Sequence, residues 1–146
     1  MTLRPILVLV LLAVLLAGCG SGPVRRINPS GVSIQQLALE ADGSWRIALR
    51  IHNFSTVPMH YDSLTAELSI DGANVGTIRM DPAVEITGNS AEVVETRIPA
   101  SASLPAGRDF AYRLEGTIHA DEPSESFPFE RESRLSPVPG VPNTWR

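Results

Sequence analysis

The sequence predicts an all-β fold, a seven-stranded β-sandwich of the immunoglobulin or fibronectin type III class. Three observations carry this. Apolar and polar residues alternate with a period of two over much of the chain from Val32 onward. Turn chemistry built from Asp-Gly, Asn and Pro recurs every ~8–12 residues between the alternating runs. No segment behind the N-terminal apolar run carries a helical period.

Val32 and Ile34 open the first strand, which continues through Leu37 and Leu39; the phase change between Ile34 and Leu37 predicts a bulge or bend. Asp42-Gly43 is a hairpin signal. Trp45, Ile47, Leu49 and Ile51 then alternate with Arg46, Ala48, Arg50 and His52, the cleanest half-buried strand of the chain. Residues 53–58 interrupt it with turn chemistry. In the third strand Leu64, Ala66, Leu68 and Ile70 share one face, and Ser63, Thr65, Glu67 and Ser69 the other. Asp71-Gly72 turns the chain tightly, and a fourth strand returns through Val75 and Met80. Asp81-Pro82 stops it, and residues 87–90 form a polar turn. Val94, Thr96 and Ile98 alternate with Glu95 and Arg97 in the fifth strand. A longer connection containing Pro99, Pro105 and Gly107 leads to the sixth. There Phe110, Tyr112, Leu114, Gly116 and Ile118 face inward, while Arg113, Glu115, Thr117 and His119 face out. After a turn at 121–124, Phe127 and Phe129 begin the seventh strand, which runs towards Leu135. Pro137, Pro139 and Pro142 mark 136–146 as a loose, Pro-rich tail. Ile47, Leu49, Leu68, Leu114 and Ile118 are the expected core.

Ahead of the sandwich, Arg4 precedes an uninterrupted apolar run from Ile6 to Ala17, followed by small residues and a cysteine. That order is a secretory signal. The run of about 12 residues is short for a membrane span, which takes about 20. Leu16-Ala17-Gly18-Cys19 resembles the lipobox of bacterial lipoproteins. The resemblance implies a lipoprotein signal peptide over 1–18, cleavage before Cys19, and acylation of its thiol and its new amino terminus. Each buried methylene contributes about 0.8 kcal/mol and one chain holds only reversibly, so several chains on Cys19 would keep the domain at a membrane. Gly20 is not the aspartate of the inner-membrane retention signal of enteric lipoproteins. The expected location is therefore the periplasmic face of the outer membrane of a Gram-negative cell. Residues 19–30, with Gly20, Ser21, Gly22, Pro23 and Pro29, read as a flexible tether. Arg25-Arg26 within it reads first as two solvated charges and second as a weak attraction to anionic head groups.

The chain has 146 residues and a formal net charge of −4, and its 12 basic residues are all arginine. This length suffices for one domain with its own core, placed at 31–135. A mildly acidic domain lacks the electrostatic footprint that nucleic acid requires. Cys19 is the only cysteine. Once lipidated, it leaves no thiol for a disulfide, a nucleophile or a thiolate metal site.

Three stretches recur in a characteristic order. They are Ile51-His52-Asn53-Phe54-Ser55-Thr56-Val57-Pro58, followed by Tyr61, Leu64 and the Asp71-Gly72 hairpin; Ile98-Pro99-Ala100-Ser101; and Tyr112-Arg113-Leu114-Glu115-Gly116-Thr117-Ile118. In order and spacing, over roughly 32–135, they resemble LEA type 2 proteins and the overlapping WHy (water stress and hypersensitive response) domain. Asn53-Phe54-Ser55 departs from the family's usual Asn-Pro-Asn. The resemblance implies a fibronectin-like sandwich, structural roles for Asn53, Pro58, Gly72 and Gly116, and an association with desiccation, cold and other stress. Physically, Asn53 suits a turn because asparagine tolerates left-handed backbone angles and its amide reaches the backbone two residues on. Pro58 fixes φ and donates nothing to a ladder, which suits the start of an edge or turn segment.

The residues offer little chemistry. His52, His60 and His119 are the only histidines, none at ligand spacing, so they read as solvent-exposed side chains and no metal is expected. No serine lies in a Gly-x-Ser-x-Gly context, and no phosphate loop precedes a helix. Glu92, Glu95 and Arg97, like Glu130, Arg131, Glu132 and Arg134, form solvated faces. Trp45 alternates with Ile47 and reads as core rather than as a ligand-stacking residue. The expectation is a protein with no catalytic residues, no cofactor and no nucleic-acid partner, whose partners are a membrane, through lipid on Cys19, and weakly held client proteins. An adaptor docking to an envelope complex by edge pairing or loop contacts is the alternative. A small-ligand carrier is a third reading, and it requires a deep cavity between the sheets.

Overall fold

The structure, a computed structural model, describes residues 22–99 and 102–146. The signal segment, Cys19 and Ala100-Ser101 lie outside the described residues. In chain order the strands are β1 (Gly31–Leu39), β2 (Trp45–Asn53), β3 (Met59–Ile70), β4 (Ala73–Met80), β5 (Val84–Ile86), β6 (Ser90–Ile98), β7 (Phe110–Glu122), β8 (Ser124–Leu135) and β9 (Thr144–Trp145). They form two antiparallel sheets, one ordered β6-β2-β1-β9 and the other β4-β3-β7-β8, with β5 also on β3. The expected all-β, two-sheet architecture is present. The strand count is corrected from seven to nine among the described residues, because β5 and β9 join the seven expected strands.

The alternation read from the sequence places the core. Ile47, Leu49, Leu68, Leu114 and Ile118 are fully buried, as is Trp45. Tyr61, Phe110, Met59 and Ile86 fill the space between the sheets with them, so the interior is occupied by side chains. Clefts such as the one of about 540 Å³ lined by Ser69, Tyr112, Arg113 and Arg134 are open surface features. A carrier with its ligand between the sheets therefore finds no support. Leu49→Ala should cost about 2–5 kcal/mol in a denaturant titration, the range for deleting a buried leucine side chain. A loss below about 0.5 kcal/mol would place Leu49 at the surface instead.

Turn chemistry behaves locally as expected. Asp71 and Gly72 both take positive φ, 46° and 84°, the pair of left-handed angles that a two-residue hairpin of this twist requires. The first strand bulges between Ile34 and Gln36 against β2, where the apolar phase changes.

The C-terminal tail is not loose, which corrects the reading of 136–146. Ser136 and Arg146 exchange backbone hydrogen bonds, Val138 N–H donates to Thr144 O (2.9 Å), and Leu39 N–H donates to Asn143 O (2.9 Å). Trp145 is 3% exposed, stands 5.7 Å from the Phe110 ring, and donates from Nε1 to Arg108 O. Burial of one large aromatic outweighs the ladder donors that the prolines lack.

The strands define two ends. The proximal end carries residues 22–30, the β2–β3 loop, the β5–β6 loop and the β7–β8 turn. The distal end carries the β1–β2 and β3–β4 turns and the C-terminal tail.

Candidate functional site at the proximal end

Asn53 is the last residue of β2, and its side chain organises this end. It is 1% exposed. Its amide nitrogen donates to Val57 O (2.8 Å), Ile86 O (2.9 Å) and Thr87 O (3.2 Å), so its two protons serve three carbonyls. Its Oδ1 accepts from Ser55 N–H (2.9 Å), the side-chain turn to the backbone two residues on that asparagine favours. Asn53 is not among the residues with positive φ, so its side chain rather than its backbone angle explains its use. The adjoining loop seats on this turn: Asn89 N–H donates to Ser55 O. A Cβ on Gly88 would lie 2.6 Å from the Thr56 carbonyl carbon, so glycine permits the approach.

The segment before β1 is fastened to the same loop. Arg26 N–H donates to Thr56 Oγ1 (2.9 Å), and Thr56 N–H donates to Arg26 O (3.0 Å). Asn28 N–H donates to Ser55 Oγ, its Nδ2 donates to Phe54 O, and Thr56 Oγ1 donates to Val24 O (2.7 Å). Ser30 is buried and shares a 2.6 Å hydrogen bond with Tyr61 Oη. Burial holds the Tyr61 phenol above its ordinary range. The expected tether over 19–30 is therefore corrected from Val24 onward: these residues are bonded to the sandwich, because the β2–β3 loop offers backbone and hydroxyl partners that the sequence did not reveal.

On the outer face of the second sheet, His60 and Asp62 of β3 stand beside His119 and Asp121 of β7. His60 Nδ1 lies 2.6 Å from Asp121 Oδ1, and His119 Nδ1 lies 2.5 Å from Asp62 Oδ1. The pairing between the strands slips on either side of Tyr61, which is opposite Ala120. Asp121 is the extra residue on one strand and Asp62 on the other. Each bulge thus aims an aspartate at the histidine of the opposite strand. His60 and His119 lie partly exposed on the outer face, and each is also one half of a reciprocal His-Asp pair. The repeated His-x-Asp, His60-Tyr61-Asp62 and His119-Ala120-Asp121, was the available signal. Among the described residues no hydroxyl is hydrogen-bonded to the His60 or His119 ring, and no group of three potential ligands is placed to hold a metal.

The hydrogen bond to Asp121 raises the His60 pKa above its ordinary value; desolvation opposes it, and the charges of Asp121, Asp62 and Glu85 add smaller increments. The bond from His119 lowers that of Asp62. A raised histidine pKa stabilises the fold fully below the unfolded value of about 6.5, and that contribution is lost as pH rises through the folded value. The contribution of His60 to the denaturation midpoint should therefore fall from mildly acidic to mildly alkaline pH, opposed by His52, whose lowered pKa acts the other way, and the difference between the wild-type and His60→Gln profiles isolates it. An unchanged profile in the variant would show that the pair does not titrate in this range.

The residues singled out from the sequence do not form one site. Asn53 and the exposed Pro58 bound the proximal loop. Gly72 lies in the distal hairpin. Gly116 sits mid-sheet, where a Cβ would come within 2.1 Å of Thr65 O, so only glycine fits beside β3. The outer faces are ion-paired: Arg113 reaches Glu115 and Glu130, and Arg46 reaches Glu40 and Glu95.

No family model matches the chain, and no curated protein matches it. Solved structures similar to it include a protein from Archaeoglobus fulgidus, 16% identical, covering 77% of this chain and 98% of that one with a TM-score of 0.43. AT1g01470 from Arabidopsis thaliana is 11% identical over 78% of this chain and 80% of its own, with a TM-score of 0.48. A β-glucuronidase of Bacteroides uniformis is 13% identical over 78% of this chain but 14% of its own, with a TM-score of 0.40. None of these likenesses carries a functional conclusion.

Proposed function

We propose that this protein is a non-enzymatic lipoprotein with a LEA type 2-like sandwich of the immunoglobulin or fibronectin type III class. It is held through acyl chains on Cys19 to the periplasmic face of the outer membrane of a Gram-negative cell. It protects envelope proteins or membranes by contact during desiccation or other stress. The observation that carries the reading is Leu16-Ala17-Gly18-Cys19, which lies a few residues ahead of the point where the chain is fastened to the sandwich at Val24. A filled core and ion-paired polar faces favour action by surface contact over chemistry.

Intact mass spectrometry of the membrane-extracted protein should find an acylated chain beginning at residue 19; a free thiol there removes the anchor. Residues 22–146, which keep Ser30 and Trp145, should then suppress aggregation of a test enzyme during drying, without nucleotide or metal. Equal protection by an unrelated fibronectin-like domain of similar charge would reduce the effect to crowding.

One observation favours the adaptor as a second reading. β8 is an edge strand, and β9 pairs with β1 only at Leu37 and Ala38, so the first half of β1 is also an edge. Such edges accept an added strand. A single stoichiometric partner in crosslinked cells selects this reading, whereas many weak partners select protection.

A further inference from the structure

Five large apolar side chains are exposed among the described residues, and three of them gather at the proximal end: Val24 (62%), Ile27 (38%) and Phe54 (51%). Arg25 and Arg26 lie between the first two in sequence, and neither forms an ion pair among the described residues. The patch is built. Phe54 stacks on His52 with ring centroids 5.3 Å apart, and its ring lies where a Cβ on residue 31 would be, 3.0 Å away, so Gly31 makes room for it. The hydrogen bonds of Val24, Arg26 and Asn28 to residues 54–56 hold the segment on the loop that carries this ring.

We propose that this patch is a second, non-covalent contact with an anionic phospholipid bilayer. Phe54, Val24 and Ile27 enter the interface, and Arg25 and Arg26 meet the lipid phosphates. Apolar side chains flanked by arginine are the composition that interfacial binding requires, because burial and attraction to anionic head groups add. Arg50 and Arg131 lie close enough to His52 to lower its pKa further, after desolvation. Carboxylates stand at this end too: Glu130 lines the cleft beside Phe54, and Glu122 and Glu125 flank the β7–β8 turn, so the attraction rests on the exposed Arg25 and Arg26 within the patch.

Chain length selects the bilayer over a protein partner. Val24 is bonded to Thr56, and the five residues back to Cys19 span at most about 18 Å. An acylated Cys19 therefore keeps this end, and not the distal one, against the membrane. That orientation rests on the proposed lipidation; the composition of the patch does not.

The test uses the full chain extracted from membranes and reconstituted into vesicles carrying brominated phospholipids. Trp45 and Trp145 are both buried at the distal end, so Phe54→Trp adds a reporter in the patch while keeping an aromatic ring. Its emission should be quenched several-fold more than that of Val141→Trp, an exposed distal control. Quenching should weaken in phosphatidylcholine vesicles lacking phosphatidylglycerol. It should also weaken when Arg25→Gln and Arg26→Gln are added. Equal quenching at positions 54 and 141 overturns the proposal, as does quenching indifferent to both lipid charge and the arginine substitutions. The mass of the same sample reports acylation of Cys19 separately, so a missing anchor and a failed patch are told apart.

Discussion

Asn53→Asp is expected to lower the unfolding free energy by about 4–5 kcal/mol at neutral pH, as an uncompensated buried charge does. The substitution keeps shape and volume but replaces two N–H donors with an acceptor. A carboxylate would then face the carbonyls of Val57, Ile86 and Thr87, which now receive the amide. The retained oxygen can still accept from Ser55 N–H, so the loss isolates the donor side. The variant's pH dependence is a second readout. Burial raises the folded pKa of the new carboxyl, so stability should rise as pH falls through that value, until the unfolded chain protonates too. Denaturant midpoints across mildly acidic pH measure both effects. A loss of less than about 1 kcal/mol with no recovery in acid would mean that solvent reaches residue 53.

Trp145→Ala should cost about 3–5 kcal/mol, the range for truncating a buried aromatic. Removing it empties the contact with Phe110 and frees the Arg108 carbonyl. The loss also releases β9 from Leu37 and Ala38, extending the unpaired edge of β1 along its whole length. Amide hydrogen exchange at Leu39, whose N–H donates to Asn143 O, should then accelerate well beyond what global destabilisation explains. A stability change below about 0.5 kcal/mol would mean that the tail is not part of the folded unit.

The sequence and structure agree where a pattern is local. Trp45, Ile47, Leu49 and Ile51 alternate, and each is buried. Asp71-Gly72 carries its own turn chemistry. The alternation marks the third strand from Ser63, but the strand begins at Met59. Its inward residues are Met59, Tyr61, Leu64, Ala66, Leu68 and Ile70, and the extra residue at Asp62 breaks the period between the second and third. β5 is three residues long and β9 two, too short for any period to register. β9 forms only because the chain returns to a strand far from it in sequence. The same limit hid the proximal site. Asn28, Ser55 and Thr56 look like ordinary loop residues until residues 24–30 and 53–56 are brought together. The His-Asp quartet needed the neighbours β3 and β7 to be known before the repeated His-x-Asp acquired meaning.

β1 begins at one end of the sandwich, and β9, with Trp145, lies at the other. The longest strands set the distance between those ends: β3 has 12 residues, or about 40 Å at the rise of an extended chain. Seated as proposed, the domain would hold its distal hairpins and β9 up to one strand length, about 40 Å, from the lipid. The separation would be set by backbone geometry rather than by linker length.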